Sequence, residues 1–336
     1  MSSSDGLSST RRGVYLSPDQ LDDGDLVAAY RRAVRRDAGY GWMFAEDVRN
    51  GILPWSHNSR FVAAYEGTGA ERLTELTVAG AGRGGAHGGV TEAARAFIQS
   101  GASSLLTTTD TVYEVELLTR VDASRSDEIA ALRIHPLLPG TFDIRRSEPI
   151  QRVPAWVTEE RFIELDPDLV FRLTLPPKLD DTVTRTLDLL GHVDAFDTRE
   201  FLAIQQKLRG EIDIPFDAYS VARRRLVAVG TAATGWDARG TFREDQLDPW
   251  AVSRRLTFLG FCIELRDAII EQGNALLGRL AGRLGAEARL VPRRVPSLRD
   301  VADARTVLSL GSRPLGDLLS FALQQTEFLA SASERA

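Results

Sequence analysis

Val112-Tyr113-Glu114-Val115-Glu116-Leu117-Leu118 reads as a β-strand, because β-branched, aromatic and aliphatic residues alternate with acids and place one face in a core. Upstream, Ala93, Ala94, Phe97, Ile98, Leu105 and Leu106 recur at helical spacing from Thr91, with Gly101 a point of interruption. Downstream, a polar turn over residues 122–127 leads into Ile129 to Ile134, so a hairpin is expected. The segments Phe142 to Val153, Arg161 to Leu165 and Val170 to Leu173 complete a small mixed or antiparallel sheet, which Pro176-Pro177 ends.

Beyond Asp180 the pattern becomes helical, first from Thr182 to Leu208 and then around Tyr219 to Val229. Asp248-Pro249 is a helix-start signal, an N-cap acid followed by proline where its missing N–H costs nothing. Unbroken to Arg283, that helix measures about 50 Å at about 1.5 Å per residue. Val252, Leu256, Leu259, Ile263, Ile270 and Leu277 form one apolar stripe. Phe258, Cys262, Leu265, Ile269, Leu276 and Leu280 form a second beside it, so two packing partners are needed, from this chain or from a neighbouring subunit. Gly260, Gly273 and Gly278 are points where the helix would kink or end. Two short helices separated by Gly311 follow Pro296. The expected fold is therefore α+β, a small sheet followed by a helical region with one long helix. The division is a disordered tail over 1–15, an α+β domain over 16–180 and a mainly helical domain over 181–336.

Composition excludes bulk disorder, with 43% hydrophobic and 26% charged residues in 336. The Ser-rich opening lacks the apolar stretch of a signal peptide, and charged residues interrupt the apolar segment Trp250 to Leu284, so no membrane association is expected. The single Cys262 cannot form an internal disulfide, which fits a reducing compartment, and the net charge of −6 offers nucleic acid no global attraction.

Chemical motifs are incomplete. Gly80-Ala81-Gly82-Arg83-Gly84-Gly85 satisfies the spacing of a dinucleotide-binding loop after a strand read over Glu75 to Ala79, but the glycines run on to Gly89 and the helix begins only near Thr91. His57, His87, His135 and His192 are scattered singly, so no metal and no cofactor is expected. Asp110, Glu114 and Glu116 put two carboxylates on one strand face, as a metal-dependent nuclease needs, without the closing Lys of that signature. Arg31, Arg32, Arg35 and Arg36 fall on one face of a helix read over Leu26 to Arg36, a stripe that could contact nucleic acid transiently. Trp236 and Arg239, between glycines, suit either a buried aromatic turn or a partner-recognition loop, as in an intracellular protein-binding module. Together with Trp250, Leu256 and Phe258 they are the candidate contacts to a partner or subunit.

Ala93-Ala94-Arg95-Ala96-Phe97, then Val112-Tyr113-Glu114-Val115, then Leu137-Leu138-Pro139, then Ile163 to Phe171 follow an order that resembles the body of tailed-phage portal proteins, over residues 91–178. Where that family shows a glycine before the aromatic-Glu strand, this chain has Thr107-Thr108-Thr109-Asp110. The resemblance implies a homo-oligomeric ring without enzymatic activity, cytoplasmic or virion-associated, through which DNA is packaged. It would use the Pro249 helix for contacts between subunits.

Overall fold

A computed structural model describes residues 7–35, 39–54, 61–80, 89–120, 128–208, 216–237 and 248–325. In chain order the elements are β1 (Leu7–Ser9), a 3-10 turn at Pro18–Gln20, α1 (Gly24–Ala33), α2 (Gly39–Gly51), β2 (Val62–Thr68), α3 (Ala70–Gly80) and α4 (Gly89–Thr107). There follow β3 (Thr111–Arg120), β4 (Ile129–Pro136), β5 (Phe142–Arg145), β6 (Glu148–Arg152), β7 (Phe162–Glu164) and β8 (Val170–Leu173). The C-terminal half carries α5 (Pro177–Leu208), α6 (Phe216–Gly230), α7 (Pro249–Leu284), β9 (Glu287–Arg293), α8 (Leu298–Leu310) and α9 (Leu315–Ala322). The class is α+β, and every strand pairing is antiparallel among the described residues.

The chain divides into two units, Met1–Arg35 with Arg60–Thr174 and Ala268–Arg294, and Arg36–Ser59 with Leu175–Asp267 and Val295–Ala336. Each unit gathers segments distant in sequence, where two consecutive domains meeting near residue 180 were expected. In the first unit β3 is the central strand. The β4 hairpin pairs on one side of it, while β1 and β8 share the other, β1 against Leu118 to Arg120 and β8 against Thr111 to Glu114. A separate three-stranded sheet is formed by β5, β6 and β7, and a two-stranded ribbon by β2 and β9, where a single small sheet was expected. Residues 75–79, read as a strand, belong to α3, whose Leu73, Leu76 and Thr77 are buried at helical spacing. With a helix in front of it, the glycine run loses the strand context that a dinucleotide loop requires.

Residues 7–15, expected to be a loose tail, are held on the sheet. Leu7 to Ser9 pair with β3, and Thr10 continues the ladder, its N–H donating to the Leu117 carbonyl and its hydroxyl accepting from the Leu117 N–H. Both faces of β3 are buried from Thr111 to Leu118, not the one face that alternation predicts. Helix α4 runs through Gly101 and packs Ile98, Ala102, Leu105 and Leu106 inward.

Asp248 caps α7 as its sequence predicts, accepting the Ala251 N–H at 2.7 Å; residues of α7 up to Asp267 belong to the second unit and the rest to the first. The helix runs unbroken for 36 residues, about 54 Å at about 1.5 Å per residue, so none of its glycines ends it. Val252, Leu256, Leu259 and Ile263 pack against Val301, Ala304 and Val307 of α8 and Leu318 and Phe321 of α9. The second stripe is covered as well, Cys262, Leu265, Ile269, Leu276 and Leu280 all being buried, so both partners that the arc requires come from this chain. Among the described residues no helix is long and apolar enough to cross a membrane.

Candidate functional site

The acidic set on β3 is the strongest chemical candidate in the sequence, and its geometry is that of a clasp. Glu114 is 1% exposed, and its carboxylate accepts the backbone N–H of Arg12 at 2.9 Å and that of Gly13 at 3.0 and 3.2 Å. Arg11 adds a guanidinium nitrogen 4.0 Å away. Next along the same face, Glu116 accepts from the Ser9 hydroxyl at 2.6 Å and meets His135 Nε2 at 2.8 Å, with Arg133 at 3.7 Å. Burial alone would raise the Glu116 pKa, but the Ser9 hydrogen bond, His135 and Arg133 outweigh it and hold the carboxylate below its ordinary range. Both acids are therefore engaged with the N-terminal segment and β4. Asp110 lies before β3, 3.4 Å from Arg172; burial raises its pKa against that cation and a backbone hydrogen bond from Gly140. Among the described residues no group of three or more His, Cys, Asp or Glu side chains is placed to hold a metal.

The turn after α6 is built on Trp236, 1% exposed, whose indole N–H donates to Asp47 of α2 at 2.9 Å and whose ring meets Phe44 edge-on at 5.6 Å. It is a packing anchor and offers no recognition surface. Beside it Arg254 donates to the Trp236 carbonyl and to the Thr231 hydroxyl. Asp237, 3.9 Å from Arg255, is pushed up to about 6, chiefly by burial and further by Asp47, against the opposing pull of Arg255 and Arg254. Arg239 lies outside the described residues.

The arginine stripe is not formed as one face. Helix α1 ends at Ala33, leaving Arg31 and Arg32 exposed in its last turn, where they complement the helix dipole. Arg35 follows the helix, its N–H donating to the Thr107 carbonyl, because the chain there bridges extended to Thr108. Arg36 lies outside the described residues. Leu256 is buried in the α7–α8–α9 core and Phe258 is half-buried near Gly51, so of the described contact candidates only Trp250 presents a large exposed face, at 49%. Cys262 is buried and its thiol pKa is raised by that burial, with Arg266 opposing, so it is inert as a nucleophile. His192 bonds to the Asp188 carbonyl of its own helix, while His57 and His87 lie outside the described residues.

The chain matches no protein-family model, and neither a curated protein nor a solved structure similar to it was found.

Proposed function

We propose that this chain is a non-catalytic structural subunit of a homo-oligomeric assembly, of the portal type that residues 91–178 resemble. The observation that carries the reading is the apolar surface left on α6 and α7 after the internal packing is complete. Val229 is 70% exposed and Trp250 49%, and Gly230, next to Val229, lies against Leu189 while the Ala228 carbonyl accepts from Arg254, the cation over the Trp250 ring. These contacts gather Leu189, Val229 and Trp250 at one corner of the second unit, and exposed aromatic and aliphatic side chains of that kind favour burial against another protein. Two further features agree with it. The acids and the His135 imidazole are occupied in holding strands together, and the net charge of −6 suits a passage that DNA traverses without being gripped.

Subunit contacts then run through Trp250 and Val229 rather than through Leu256. The test is multi-angle light scattering of the full chain with negative-stain imaging. The proposal expects a molar mass several times 36.9 kDa that falls to one chain in Trp250→Glu or Val229→Glu. A monomer at micromolar concentration in the unaltered protein defeats it.

A further inference from the structure

The first unit contains a cleft of about 570 Å³, within the size range of small-molecule sites. Its walls are apolar: Ala93, Ala96 and Phe97 of α4, Ile134 of β4, Leu277 of α7 and Leu290 of β9. Phe97 meets Tyr113 edge-on at 6.0 Å, and Tyr113 stacks on Phe171 at 5.2 Å with 17° between the planes, so the ring series opens into the cleft through Phe97 and Tyr113. Two hydroxyl pairs also reach the lining, Tyr65 with Thr77 at 3.0 Å and Tyr113 with Ser100 at 3.5 Å. In the Tyr65–Thr77 pair one hydroxyl donates to the other, which leaves one donor for a ligand acceptor, while the Tyr113 hydroxyl is bonded by Ser104 as well as Ser100. Burial raises both tyrosine pKa values, against the hydrogen bonds from Thr77 to Tyr65 and from Ser100 and Ser104 to Tyr113, so both stay protonated at neutral pH.

The charged lining is already compensated. Glu92 faces Arg95 at 3.6 Å, Arg133 donates to the Gly80 carbonyl at 2.8 Å, and His135 is on Glu116. An ionised ligand would lose its hydration without finding an opposite charge to replace it. From the apolar walls, the rings and the hydroxyl pairs, we propose that this cleft binds a small, neutral, largely aromatic molecule carrying a hydrogen-bond acceptor. The proposal does not rest on the assembly role, since every lining group belongs to one unit of one chain.

The test titrates the full chain with N-phenyl-1-naphthylamine, a neutral apolar fluorophore, and with its sulfonated relative 1-anilinonaphthalene-8-sulfonate. Expected is saturable binding of one neutral dye per chain, at least tenfold tighter than the anionic dye. Ala96→Trp, which sends an indole into the cleft from an exposed helix position, should weaken it at least tenfold with the thermal midpoint unchanged. Ile144→Ser, an exposed apolar position elsewhere, should leave it intact. If Ala96→Trp does not fold, Ser100→Leu on the same exposed face replaces it. Unsaturable binding, equal affinity for the two dyes, or affinity that survives filling the cleft overturns the proposal. A response that disappears as protein concentration rises would assign the cleft to a second copy of the chain and also overturn it. Light scattering on the same samples reads the assembly separately.

Discussion

Replacing Glu114 by Gln preserves the shape of the β3 clasp and removes its charge. Oε1 can still accept from Arg12 and Gly13, but an amide NH₂ then faces the Gly13 N–H across the 3.0 Å now spanned by Oε2. A hydrogen bond to an ionised acceptor contributes about 1.5–3 kcal/mol, and an orphaned buried donor adds to its loss, so a cost of about 2–4 kcal/mol is expected. The paired strand β1 is only 3 residues long, so the loss should appear first as release of the N-terminal segment, before global unfolding. At about 1.4 kcal/mol per tenfold, even the lower figure raises the open population by about 30-fold. Limited trypsinolysis at Arg11 and Arg12 reads that opening directly, and hydrogen exchange over residues 7–14 reads it independently. Gly13→Ala should act alike, since a Cβ there would lie 2.5 Å from Glu114 Oε2. Cleavage and exchange within twofold of the unaltered protein in Glu114→Gln would refute the clasp.

Trp236→Ala empties a fully buried site and removes the indole hydrogen bond to Asp47, so it should cost about 3–5 kcal/mol in chemical denaturation, where a recognition tryptophan would cost almost nothing. Gly235→Ala should cost about 1–3 kcal/mol or more in the same assay, because φ is +69° there and a Cβ would meet the Arg254 carbonyl at 2.4 Å. Asp237 has a folded pKa of about 6 against an ordinary 3.8, so the folded state holds the proton more tightly. Its contribution is complete below about pH 4 and is lost as pH rises through about 6. Asp237→Asn should therefore flatten the decline in stability between pH 4 and 6 and be the more stable form at pH 8; identical denaturation midpoints across that range would refute the assignment.

The elements themselves were legible because they depend on neighbours in the chain. The period of Ala94, Ile98, Leu105 and Leu106, the Asp248-Pro249 start and the Gly311 break between α8 and α9 are all short-range signals, and each produced its helix. Where local evidence was thin it misled: Glu75 to Ala79 has strand-like residues, yet Leu73 and Leu76 bury one helical face. The acids of β3 gave no hint of their burial, because alternation put them on a solvated face, whereas the fold buries both faces and a buried carboxylate must find N–H donors. Which donors it finds is a tertiary fact, because Arg12 and Gly13 lie about a hundred positions away. The same holds for β9, invisible as a strand until its register brings Val62 opposite Arg293, and for Trp236, whose indole is claimed by an aspartate 189 residues earlier. The cleft likewise exists only where α4, β4, α7 and β9 converge. Periodicity and capping are encoded within a few residues, whereas the burial of a charge, the pairing of an edge and the shape of a cavity depend on which distant segments the fold brings together.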